Sequence, residues 1–301
     1  MPPDERRAHL RRRTVLSAAV AAAAAFGLTG CDIRLKKGAP HVPGIKTQSP
    51  PPDQPVLRQL LLQLDMAAHL QAKGKPALSQ SLTRMHRAQR TRLIAVMATQ
   101  GMTPAPQPTS AASPAPLGLF EAGAAQGVGT LASLTARNLP MAAAIGVTFG
   151  AAAQMLGTAQ PTPNPTVPKP AETTAILPAL QAAIYAFEVI VAKTPVTARA
   201  RAKATLTALS PTRSAWEAAL GTNAPGQPDG YALPVQPTTD AVRRQLAQQV
   251  LTDLADACAG QIAATRGDAG SFLAVVHLWT DATAQLWRWG ATPSAFPGLA
   301  D

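Results

Sequence analysis

Residues 177–191 read LPALQAAIYAFEVIV, and the spacing of their apolar side chains decides the fold. Leu177, Leu180, Ile184, Phe187 and Val191 recur at intervals of three and four, which puts them on one face of an α-helix. A strand would send successive side chains to opposite faces, and no convincing alternation of that kind occurs. Leu82, Met85, Gln89, Leu93 and Val96 nearly repeat the spacing, as do Phe272, Val276, Trp279, Thr283 and Leu286. Stripes of this kind are the inward faces of a helix bundle.

Outward from these stripes, proline divides the chain. Pro-rich tracts cover 39–55, 104–116 and 161–170, and a looser break runs from Thr222 to Pro237. The stretches between them predict eight helices, at about 54–72, 76–100, 118–137, 139–157, 173–194, 197–220, 238–265 and 268–290. The expected fold class is all-α, with two tandem four-helix units at 54–157 and 173–299 joined by a Pro-rich linker at 158–172. An internal repeat supports the pairing. Met85-His86-Arg87 precedes Leu209-Ser210-Pro211 by about 124 positions, and Ala152–Gly157 is echoed by Thr283–Trp287. Aromatics are only 4% of the 301 residues, which argues against an all-β fold. Two cysteines exclude a disulfide framework, a Cys-rich zinc module and an iron–sulfur cluster.

The first thirty residues read as a processing signal, separate from the fold. Arg11-Arg12-Arg13 precedes a weakly hydrophobic alanine-rich run, with Arg12 and Arg13 as the paired arginines of a twin-arginine export motif. Leu28-Thr29-Gly30-Cys31 follows in the pattern of a lipobox, so Cys31 is the expected lipidation site. Acyl chains stabilise a membrane anchor by about 0.8 kcal/mol per buried methylene, and two chains hold it stably. Residues 31–53 form a basic, Pro-rich tether. Losing five arginines and two acids with the signal lowers the formal charge from +11 to about +8. Basic groups beside a lipid anchor are drawn to anionic headgroups, which accounts for much of that charge without nucleic acid. The expected location is the extracytoplasmic face of the cell membrane.

The C-terminal half, about 174–299, resembles a ferritin-like domain family of unknown function found in actinobacterial secreted proteins. The likeness rests on Leu180–Phe187, Gly230-Tyr231-Ala232-Leu233-Pro234, the alanine-rich seventh helix and Ala295-Phe296-Pro297-Gly298-Leu299. The resemblance implies a four-helix unit behind an exported lipoprotein signal. Where such domains carry Glu-His, this chain has Leu180-Gln181, and where a His-Arg is expected it has Ser210-Pro211. A proline there predicts a kink or a helix restart capped by Ser210.

Ferritin-like di-iron sites need two lone glutamates and two Glu-x-x-His pairs. Past the signal, the glutamates are Glu121, Glu172, Glu188 and Glu217, and none has histidine three residues on. No di-iron centre is expected, nor any other cofactor. The weaker metal or acid–base candidates are Asp65 with His69, His277 with Asp281, and His86. For the first two, an i,i+4 pair worth a few tenths of a kcal/mol is the favoured reading over a metal or acid–base role. Cys258 reads as a small buried residue, and Arg84, Arg87, Arg90 and Arg92 as a solvated basic face. Residues 138–168 carry no charge and include Gly146-x-x-x-Gly150, which reads as a closely packed buried helix, with a second membrane contact as the alternative. Trp279, Trp287, Trp289 and Tyr231 either pack the core or line a groove.

These features point to a non-catalytic, lipid-anchored envelope protein with degenerate ferritin-like bundles and a binding or scaffold role. Its partners would be the membrane and an envelope protein or apolar ligand. The alternatives are a metal-binding or oxidoreductase lipoprotein with a site rebuilt from Asp65, His69, His86, His277 and Asp281, and an apolar-ligand carrier.

Overall fold

The computed structural model describes residues 50–104, 116–159, 166–228 and 230–299. The expected signal peptide, with Arg12, Arg13 and Cys31, and nearly all of the expected tether lie outside them. The regular structure of the described residues is entirely helical, in eight α-helices. They are α1 Gln54–Ala67, α2 Pro76–Thr99, α3 Leu117–Gln126, α4 Leu139–Leu156, α5 Pro170–Lys193, α6 Ala200–Leu220, α7 Asp240–Gln261 and α8 Ala269–Arg288.

Proline starts helices here. Pro55, Pro76, Pro140 and Pro170 occupy the first positions of α1, α2, α4 and α5, where the missing N–H would have had no intrahelical acceptor. Other ends are capped by side chains. Thr239 accepts from Val242 N at the start of α7, and Asp268 accepts from Gly270 N and Ser271 N at the start of α8. Gly157 ends α4 with φ +82°, a left-handed value that favours glycine.

Three elements depart from expectation, the first being α1, which ends at Ala67 rather than near 72. The third helix stops at Gln126 and the chain tightens into a 3₁₀ segment, Gly127–Ser133. Gly127 and Gly129 weaken α-helix there, alternating with the β-branched Val128 and Thr130. The sixth helix, by contrast, runs unbroken through Pro211, so Ser210 caps no restart. α5 likewise continues through Pro178.

α1 packs on α2, α3 on α4, α5 on α6 and α7, and α7 on α8. The extensive α4–α8 contact crosses between the two sequence halves. One hydrophobic core consequently runs from Leu57 through Ile145 and Ile184 to Leu278, and residues from Pro50 onward form one compact unit. A smaller cluster joins Leu82, Met85 and Leu117 to Ala151, Ala152, Ala284 and Trp287. The two echoing segments of the internal repeat thus meet each other. α4 and α5 are long and apolar enough to cross a membrane by length and composition, but 78% of α4 is buried inside the unit.

Candidate functional site

The inward face of α2 carries three polar residues among its apolar ones, Ser79 near its start and His86 and Gln89, one turn apart, at its middle. His86 and Gln89 are fully buried, together with Glu121 of α3 and Thr148 of α4. Phe149 of α4 stacks on the His86 ring, with centroids 5.2 Å apart.

The hydrogen bonds determine one another. Thr148 Oγ1 donates to the Ile145 carbonyl (2.7 Å), so its oxygen accepts from Gln89 Nε2 (2.8 Å). The same Nε2 donates to the Ala295 carbonyl (2.7 Å), which fixes the amide and turns Gln89 Oε1 toward His86 Nδ1 (3.0 Å). Nδ1 therefore carries a hydrogen. His86 Nε2 lies 2.9 Å from Glu121 Oε1, and the one proton of that contact belongs to the pair. Burial pushes the Glu121 carboxyl above its ordinary value, while the charge and hydrogen bond of His86 pull the other way. Glu121 Oε2 has no hydrogen-bond partner among the described residues. The arrangement suits proton sharing inside a sealed core.

Of the other expected pairs, Asp65 and His69 are taken apart, while His277 and Asp281 stay on one cavity wall. Asp65 is buried and pairs with Arg90 of α2. Arg90 accordingly leaves the solvated face expected of it. His69 is exposed at the end of α1, and its Nδ1 meets the Asp65 carbonyl oxygen at 2.7 Å, not the carboxylate. His277 and Asp281 of α8 both line a cavity of about 320 Å³ at the α4–α8 crossing. There Gln154 of α4 donates to Asp281 Oδ1 at 2.6 Å. Burial pulls the His277 imidazole below its ordinary value. Among the described residues, no three His, Cys, Asp or Glu side chains come together.

In the second half, Gln181 donates to Glu217 (3.0 Å) and accepts from Tyr231 Oη (3.3 Å). Tyr231 packs on Tyr185, whereas Trp279, Trp287 and Trp289 are buried, so the four aromatics line no common groove. Cys258 is fully buried, and burial pushes its thiol above the ordinary range.

Glu121, Gln89 and Thr148 are the residues that sequence reasoning did not join to His86. One signal was present: Gln89 interrupts an otherwise apolar stripe three residues after a histidine, where both share a face.

No curated protein and no solved structure matches the chain. Residues 172–301, covering α5 to α8 apart from the first residues of α5, match the model of one protein family, "Domain of unknown function (DUF4439)".

Proposed function

We propose that this chain is a non-catalytic, lipid-anchored envelope protein whose bundle is a degenerate ferritin-like scaffold for binding a partner. The observation supporting the non-catalytic part is that His86, Gln89 and Asp65 are drawn into hydrogen bonds and an ion pair with the protein itself, with Glu121 Oε2 and Asp65 Oδ2 left as buried oxygens without a hydrogen-bond partner among the described residues. His86 meets Glu121 and Gln89, Gln89 meets Thr148 and Ala295, and Asp65 meets Arg90. The anchor rests on the lipobox ending at Cys31 behind the paired Arg12 and Arg13. Labelled palmitate is expected to enter the protein, and Cys31→Ala to release it into the medium; retention at the membrane would remove the anchor. Metal analysis of the purified chain tests the rest. Stoichiometric iron, manganese or zinc would overturn the scaffold reading.

A second reading draws support from a groove of about 430 Å³ beside α1, lined by Val56, Leu60, Val128, Leu131 and Phe149. A carrier of apolar ligands would use such a groove, and it predicts a co-purifying ligand by mass spectrometry.

A further inference from the structure

The loop after α5, the first turns of α6 and α7, and the end of α8 enclose a pocket of about 420 Å³. Three arginines line it: Arg201 from α6, and Arg243 and Arg244 from α7. Arg243 is nine-tenths buried and bonded to the protein through both terminal nitrogens. Its Nη1 donates to the carbonyls of Lys193 (3.1 Å), Pro237 (3.4 Å) and Thr238 (3.3 Å), and its Nη2 pairs with Asp240. Asp240 is the one acid lining the pocket, and Arg243 answers its charge.

Arg201 and Arg244 are different. Both are exposed, and neither has a carboxylate or hydrogen-bond partner among the described residues. Arg201 lies 5.3 Å from the centroid of the Trp289 ring. That ring is held in turn by its Nε1–H donating to Thr205 Oγ1 at 3.1 Å. Stacking on a fixed indole restricts the guanidinium and keeps its N–H fork available. The loop opposite is pinned by Arg199 Nε, which donates to the Thr194 carbonyl at 2.7 Å. The first turn of α6 has no side-chain cap, so its positive end adds to the same field.

We propose that this pocket binds a phosphate ester, with Arg201 and Arg244 gripping the phosphate from the α6 and α7 walls. A carboxylate presents one planar edge, which a single guanidinium satisfies. A phosphate offers several oxygens and accepts forks from two directions. The volume exceeds that of a bare phosphate, leaving space beside Ala198 and Ala202 for the esterified group. The pocket belongs to the folded unit, so the proposal stands whether or not Cys31 is acylated.

Two ligand sources share this chemistry, a soluble phosphate ester and a lipid headgroup. The test uses full-length Cys31→Ala protein, so that no acyl anchor contributes, at about 0.05 M salt where screening is weak. Glycerol phosphate is titrated by calorimetry, and vesicles of phosphatidylglycerol or phosphatidylcholine by co-sedimentation. Binding of glycerol phosphate that falls about tenfold or more in Arg201→Ala/Arg244→Ala supports a soluble ester. Binding to phosphatidylglycerol vesicles alone, with the same arginine dependence, supports a headgroup. Arg201→Lys/Arg244→Lys keeps the charge without the forks and is expected to weaken binding clearly. The proposal is overturned if neither probe binds, if the lysine variant binds like the parent, or if Arg84→Ala/Arg87→Ala on α2 weakens binding equally.

Discussion

At the scale of single residues, the buried His86–Glu121 contact is the most consequential feature of the interior. Two ionisable groups without solvent are tolerable only together, because each offsets the other's lost hydration. His86→Ala is expected to destabilise by about 3–5 kcal/mol in urea unfolding, since it leaves a buried carboxyl unpaired. Glu121→Gln, whose amide N–H can donate to His86 Nε2, is expected to lose only about 1–2 kcal/mol. The pH dependence separates the causes. Without His86 the Glu121 carboxyl rises further, so the folded state holds its proton more tightly than the unfolded chain does. The His86→Ala deficit should then shrink as pH falls toward 4.5, the carboxyl's ordinary value, below which both states are protonated. Asp268 behaves oppositely. The hydrogen bond from Lys169, then those from the Ser271 N–H and hydroxyl, lower its carboxyl from 3.8 to about 2. Its contribution is present above pH 3.8 and is lost as pH falls through about 2. Asp268→Asn should lower the melting temperature at neutral pH and flatten that acid limb.

At the scale of elements, α4 shows why small residues were placed where they are. A Cβ on Gly146 would sit 2.5 Å from Val128 Cγ2, and one on Gly150 2.7 Å from Thr280 Cγ2. Alanine at 146 gains about 1 kcal/mol of helix propensity but forces the 3₁₀ segment away, an overpacking loss of about 1–3 kcal/mol. Gly146→Ala should therefore destabilise, and Gly146→Ala/Val128→Ala should recover most of the loss, a coupling that a double-mutant cycle measures. Pro211 predicts the reverse sign. It sits exposed inside a continuous α6, where proline costs roughly 3 kcal/mol, so Pro211→Ala should stabilise by about 1–2 kcal/mol. The helices themselves were legible because their apolar faces are periodic and prolines mark their starts. The 3₁₀ tightening after Gln126 was not, since glycine and β-branched residues lower helix propensity without naming a replacement. Nor was α6's tolerance of Pro211, which tertiary packing decides. The His86–Glu121 contact spans 35 positions and two helices, and no local pattern encodes such a crossing.

At the scale of the whole molecule, the fold binds the family-matched segment to what precedes it. α8 buries one face against α7 and another against α4, and Trp287 and Ala284 pack with Leu82 and Met85 of α2. Residues 166–301 expressed alone are expected to expose that second face, bind a hydrophobic dye and lose cooperative unfolding. Residues 50–301 are expected to unfold in one transition seen alike by circular dichroism and tryptophan fluorescence. Two separate transitions would show the halves to be independent. The sealed thiol of Cys258 offers a way to time such openings. In a Cys31→Ala background it is the sole sulfhydryl, fully enclosed and held protonated by its apolar surroundings. A capping reagent can reach it only when α7 detaches, so the capping rate is a clock for excursions out of the native state, readable in whole cells as well as in a cuvette.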